Sequence, residues 1–197
     1  MMENLLRNTT AIGRAICQNY IMEFKKCDAI GQSIIAVDAT CGNGHDTFWL
    51  AQNCHKVYAF DIQESAIRAT FELLKANNLD EKVELICESH ENIRRHVEEE
   101  ASVIVFNLGY LPGGDKEITT EVTGTLRALQ DSLEIMRVNG ILCVTMYPGH
   151  SAGREEYKAV LSWAEGLDKK KYHCIRTDML NQPDTAPEIL FVTKKRK

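Results

Sequence analysis

The stretch Phe106-Asn107-Leu-Gly-Tyr110-Leu111-Pro112-Gly-Gly-Asp115-Lys116 follows an apolar, β-branched run and gathers an amide, an aromatic ring and a carboxylate within a short turn. That combination suits chemistry at an amino nitrogen. The Asn107 side-chain carbonyl, with a backbone carbonyl nearby, can accept amine N–H bonds and aim the nitrogen lone pair. The Tyr110 ring can stack on a flat substrate and help desolvate a cationic centre. An aliphatic primary amine has a pKa of ~10 by analogy with lysine, so it must lose a proton before it can attack. Asp115, Tyr110, His90 and His150 are candidates to assist, and the sequence does not choose among them.

A second constellation is Asp38-Ala-Thr40-Cys-Gly42-Asn43-Gly44-His-Asp46-Thr47. It joins a buried strand, Ser33-Ile-Ile-Ala-Val37, to a helix, and its two glycines permit positive φ and a close backbone approach to a ligand. The third glycine of the dinucleotide pattern Gly-x-Gly-x-x-Gly is replaced by Thr47, which weakens a pyrophosphate reading. Asp61 ends the next strand 19 residues beyond Gly42, the spacing of a carboxylate that takes both hydroxyls of a ribose. Its neighbour Ile62 can pack on an adenine face, Ser89 and His90 lie near the adenine edge, and Asp38 can hold an ammonium.

A nucleoside carrying an amino-acid group meets all of these demands, so the expected cofactor is S-adenosylmethionine. Its expected contacts are Asp38, Thr40, Gly42, Asn43, Gly44, Asp46, Thr47, Asp61, Ile62, Gln63, Ser89, His90 and Asn107. In the competing reading Asp38 and Asp61 merely cap the helices after them. With this cofactor, Asn107 and Tyr110 become the outer residues of Asn-Pro-Pro-Tyr, the motif of methyltransferases acting on amino nitrogens. Methyl transfer is an in-line displacement at a sulfonium carbon, so positioning supplies much of the rate. Leu108-Gly109 stands in place of the two prolines, so the target nitrogen need not be that of adenine.

Such residues must be brought to one edge by the elements around them. Strands are expected at 33–37, 56–60, 83–87, 102–106, 140–146, 172–177 and 189–193. Helices are expected near 9–27, after Gly44, at 63–77, at about 117–138 ending on Asn139-Gly140, and at about 152–166. Strands alternating with helices imply an α/β doubly wound sheet. The final pair of strands without an intervening helix matches a seven-stranded Rossmann-like sheet, order 3-2-1-4-5-7-6, its last strand antiparallel and helices on both faces. Ligands of such sheets bind beyond the carboxyl ends of the strands. Both constellations fall there.

The 197 residues, 44% hydrophobic and 26% charged, suit one domain with its own core. No run reaches the length of a membrane span and the start lacks a secretory pattern, so a cytoplasmic protein is expected. Seven cysteines without Cys-x-x-Cys spacing read as free thiols, and no cluster has metal-ligand spacing. The net charge of −5 does not attract nucleic acid. Lys25-Lys26, Lys169-Lys170-Lys171 and the tail Lys194-Lys195-Arg196-Lys197 read as solvated ends, so RNA is permitted but not indicated by composition.

Asp38 to Thr47, Ser89-His-Glu91, Phe106 to Lys116 and Gly149-His150 with Gly153 resemble the small bacterial enzymes long labelled rRNA methylases. That family is understood as tRNA 5-aminomethyl-(2-thio)uridine methyltransferases of the MnmM type. The resemblance covers nearly the whole chain, and Asn107 to Lys116 is its most specific part. It implies a class I methyltransferase fold, S-adenosylmethionine, a tRNA wobble uridine as substrate, and methylation of its exocyclic aminomethyl nitrogen. Substrate contacts are expected from Leu111, Pro112, Lys116 and His150, the last within Tyr147-Pro-Gly-His150-Ser-Ala-Gly153-Arg-Glu-Glu, which follows the fifth strand at the same sheet edge and lines the substrate side. Ser151-Ala152 departs from the family pattern and would retune the substrate rim. Ribosomal RNA, a small-molecule amine, and a nucleotide-binding module without transferase activity are the alternatives; a homodimer is allowed by the sequence but not specified.

Overall fold

Short apolar runs rich in β-branched residues form seven strands: β1 (Ile35–Asp38), β2 (Lys56–Phe60), β3 (Val83–Ile86), β4 (Ala101–Asn107), β5 (Met136–Met146), β6 (Tyr172–Thr177) and β7 (Glu188–Lys194). The computed structural model that places them describes residues 8–27, 33–109, 120–149 and 151–196. The strands form one sheet in the order β3-β2-β1-β4-β5-β7-β6. All neighbours from β3 to β5 are parallel, while β7 runs antiparallel to both β5 and β6. This is the expected topology, and it places the carboxyl ends of β1, β2 and β4 side by side.

The helices are α1 (Thr9–Cys27), α2 (His45–Asn53), α3 (Glu64–Lys75), α4 (Ile93–His96), α5 (Val122–Ile135) and α6 (Ser151–Glu165). They cover the sheet from both sides. Cys17 and Ile21 of α1, Leu50 and Ala51 of α2 and Leu74 of α3 pack with Ala36, Val57, Val103 and Ile141 on one face. Ile93 of α4, Ala128, Leu129 and Leu133 of α5 and Val160 of α6 pack with Val37, Tyr58, Ile104 and Leu142 on the other. Burial of both faces explains why the central strands are continuous apolar runs rather than alternating ones.

Two expected boundaries are corrected. The helix expected to reach Val138 ends at Ile135, and β5 begins at Met136. Asn139-Gly140 therefore does not stop a helix. It forms an irregularity inside β5: Ala101 pairs with Met136 and Val103 with Ile141, so the extra β5 residues loop out. Asn139 has φ 63°, and a Cβ on Gly140 would stand 2.7 Å from Met136 Cγ and 2.8 Å from the Arg137 carbonyl oxygen. A left-handed residue followed by one without a side chain is what this bend needs. Between β3 and β4 the connection holds only a 3₁₀ turn, His90–Asn92, and the single turn of α4.

Candidate functional site

The turn after β1 is held by hydrogen bonds from three strands. The Ala39 N–H donates to the Val105 carbonyl at 2.9 Å and the Cys41 N–H to the Phe60 carbonyl at 2.8 Å. Asp38 is fully buried; it accepts the Thr40 N–H at 3.2 Å and the Thr47 hydroxyl at 2.6 Å. Thr47, in the place of the missing glycine, thus ties the first turn of α2 to the end of β1. Burial above all, and then the nearby Asp46 charge, pushes the Asp38 carboxyl up to about 7, against the lowering effect of its two hydrogen bonds. Asp61 accepts the Gly42 N–H at 3.0 Å and the Gln63 N–H at 2.9 Å, which joins the glycine loop to the end of β2. Both acids thus order backbone locally, but neither caps the helix after it, since α2 and α3 start from Gly44 and Gln63 without a side-chain cap; both stand at the strand ends where a ligand is expected.

Gly42 and Gly44 have φ 51° and 80°. A Cβ on Gly44 would come within 2.8 Å of Thr70 Oγ1 and 3.0 Å of Thr70 Cα, and Thr70 is itself buried in α3 while donating to the Gly42 carbonyl at 3.1 Å. Gly44→Ala therefore meets a left-handed backbone and a rigid neighbour at once. It is expected to destabilise the fold by about 2 kcal/mol or more, read as a lowered midpoint of urea unfolding at unchanged slope.

Asn107 ends β4 beside this turn. Its backbone N–H donates to Thr40 Oγ1 at 2.7 Å, and its side-chain NH₂ donates to Asp46 Oδ2 at 2.8 Å. An ionised carboxylate can only accept, so the amide nitrogen must face Asp46 and the amide oxygen must face away. The other Asp46 oxygen takes the Arg14 Nε–H at 2.6 Å. Helix α1 thus reaches the site through Arg14, and the three side chains line a cavity together with Thr10, Trp49 and Thr145. Sequence reading missed Arg14. A single arginine in an amphipathic helix looks like a solvated residue, and its partner lies 32 positions away.

Around this centre, Ile62 is 55% exposed just past β2 and offers an apolar surface. Asn43 is exposed at the loop, and Gln63 leads into α3. Ser89 accepts the Glu91 N–H and so caps the 3₁₀ turn that begins at His90. His90 packs edge-on against Phe106, with ring centroids 5.6 Å apart; burial lowers its pKa, opposed by a hydrogen bond with the Ala39 backbone. Its imidazole is thus neutral and partly withdrawn. Tyr147, just past β5, stands beside Gly109 and bonds to the Thr10 side chain. Tyr110, Leu111, Pro112, Asp115, Lys116 and His150 lie outside the described residues.

The six cysteines whose side chains are described are free thiols, with Cys87 and Cys174 exposed and the other four buried. Among the described residues no group of three or more His, Cys, Asp or Glu could hold a metal ion, and no helix is long and apolar enough to cross a membrane.

Residues 57–193 match the family model described as “Putative rRNA methylase”. The chain is 40% identical over 172 residues to the chloroplastic tRNA (mnm(5)s(2)U34)-methyltransferase of Arabidopsis thaliana, an alignment covering 81% of this chain and 62% of that protein. It thus spans less than two thirds of that relative's length. A crystal structure from Clostridium thermocellum with the same description as the family model is 37% identical, with a TM-score of 0.80 over 87% of this chain and 96% of that one. A Streptococcus mutans “putative methyltransferase”, solved in complex with SAH, is 31% identical, with a TM-score of 0.80 over 98% of this chain and 99% of that one.

Proposed function

The chain belongs to the rRNA-methylase family whose model it matches, and on that premise we propose that it is an S-adenosylmethionine-dependent RNA methyltransferase. Its proposed target is the exocyclic amine of 5-aminomethyl-(2-thio)uridine at the wobble position of tRNA. The observation that carries this reading is the locked amide of Asn107. Asp46 takes its nitrogen, so its oxygen is presented at the strand edge that also bears the glycine loop.

The local residues fit such a cofactor. Gly42 carries no side chain at the loop, Gly44 packs against Thr70 of α3, Asp61 offers carboxylate oxygens at the proposed ribose position, and exposed Ile62 offers an apolar surface for a flat base. An ammonium placed near Asp38 would favour the charged form that burial disfavours. When bound, S-adenosylmethionine supplies an electrophilic methyl group on a sulfonium.

The protein's own contribution is then orientation and proton management. Asn107 Oδ1 accepts an N–H of the substrate amine and so directs the lone pair, while Asp46 and Arg14 keep the amide from rotating. The nitrogen must shed one proton before attack, and the secondary ammonium that methyl transfer forms can leave still protonated. His90, kept neutral by burial, can take a proton only if the substrate reaches its partly withdrawn ring; Tyr110, Asp115 and His150 complete the candidates.

The test is methyl transfer by the purified protein to tRNA bearing 5-aminomethyl-(2-thio)uridine and to ribosomal RNA side by side, followed by nucleoside mass spectrometry. Conversion of aminomethyluridine to methylaminomethyluridine is expected. The family description favours ribosomal RNA as a second reading. Methyl groups found on rRNA alone would establish that reading and sink the first. The net charge of −5 argues that RNA contact is confined to a small part of the surface.

A further inference from the structure

Glu156 of α6 is only 3% exposed, yet among the described residues its partners are hydroxyls rather than cations. One carboxylate oxygen accepts the Thr125 hydroxyl at 2.6 Å and the other the Thr120 hydroxyl at 2.7 Å. A buried carboxylate carries a desolvation cost that an apolar side chain of similar size would avoid. Core packing alone therefore gives no reason to keep an acid here.

What the acid does is visible one bond further on. With its proton committed to Glu156, the Thr120 oxygen presents lone pairs, and one of them accepts the Gly109 N–H at 3.0 Å. The Thr120 N–H donates back to the Gly109 carbonyl at 3.1 Å, so residues 109 and 120 are joined by two hydrogen bonds. Gly109 has φ 131°, and the preceding Leu108 is buried and donates its N–H to the Thr145 carbonyl at 2.9 Å. The backbone that leaves Asn107 is thereby fixed on both sides.

We propose that Glu156 is a positioning residue for methyl transfer: through Thr120 it fixes the backbone at Gly109 and so sets where Asn107 presents its amide oxygen. The proposal rests on the reading of Asn107 as the acceptor for the substrate amine. Glu156 touches neither substrate nor cofactor; it acts by choosing the direction of the Thr120 hydroxyl. Thr125 shares the carboxylate but, among the described residues, has no bond to Leu108 or Gly109, which makes it the internal control.

The experiment compares Thr120→Val, Thr120→Ser and Thr125→Val in the full chain. Each valine variant leaves one Glu156 oxygen without its donor, and Thr120→Val also leaves the Gly109 N–H without its acceptor, so it should lose somewhat more thermal stability than Thr125→Val. Thr120→Val is expected to lower kcat by about 10-fold with SAH affinity unchanged, since a small misplacement at a reacting centre costs rate rather than cofactor binding. Thr120→Ser should restore it, and Thr125→Val should stay within about twofold of the parent. Equal kcat for the two valine variants, whether both fall or neither does, would overturn the proposal. Amide hydrogen exchange of the segment containing Leu108 and Gly109 gives a readout independent of substrate: it should speed up in Thr120→Val and not in Thr125→Val. If the parent protein fails to methylate tRNA bearing 5-aminomethyl-(2-thio)uridine, the substrate reading falls, while unchanged exchange in Thr120→Val would separately remove the clamp.

Discussion

Asn107→Ala is expected to lower kcat by ~10²–10³-fold, the usual loss when one pre-aligned polar group at a reacting centre is removed. The proposed role predicts how that loss divides between parameters. The side chain is tied to Asp46 and its backbone N–H to Thr40, and alanine keeps the second bond, so the turn after β1 should stay in place. Affinity for SAH, measured by calorimetry, should therefore change by less than about threefold, a difference of roughly 0.7 kcal/mol. KM for RNA should also move little, because the lost interaction is realised fully only as the nitrogen attacks. A variant that loses SAH affinity as strongly as turnover would make Asn107 part of the cofactor site instead. One that retains full kcat would remove it from the chemistry.

The architecture was legible because the central strands are buried on both faces. Ile35 to Val37, Val57 to Phe60 and Val103 to Phe106 are runs of apolar residues with acid or amide at the end, as strands covered on both faces require. The two acids and the glycines at those ends were found for the same reason. Local signals that serve two structures were not resolved. Asn-Gly favours left-handed backbone, which a helix end and a strand irregularity use equally, and only the pairing of β5 with β4 decides for the latter.

Roles that depend on distant partners were not legible. Glu156 ends the stretch Tyr147-Pro-Gly-His150-Ser-Ala-Gly153-Arg-Glu-Glu, expected at the substrate side of the sheet edge, but nothing in its spacing marks this acid out from Glu155 beside it. Its burial comes from Thr120 and Thr125, which precede it by 36 and 31 positions. Arg14 is the same case on α1. In both, the residue proposed to steer the chemistry is a charged one that neither spacing nor composition distinguishes from a surface one. The functional centre is thus legible at its first layer, from strand ends and glycines, and illegible at the layer that holds those residues in place.

Asp61 tests the cofactor side in the same quantitative way. Its carboxylate accepts the Gly42 and Gln63 N–H groups, and the proposed function gives it both ribose hydroxyls as well. Asp61→Ala removes charge-assisted bonds worth about 1.5–3 kcal/mol each, so SAH affinity should fall by roughly 100-fold or more. Turnover at saturating S-adenosylmethionine should recover substantially, because Asn107 is oriented by Asp46 and Thr40 and not by Asp61. Asp61→Asn separates the two duties of the residue. Its one amide oxygen can hold the Gly42 N–H but cannot accept from Gln63 and the ribose as well. An intermediate loss is therefore expected from asparagine if both duties matter, and a loss equal to that of alanine if the ribose contact dominates. Undiminished SAH affinity in the alanine variant would leave Asp61 only its local role, holding the glycine loop against the end of β2.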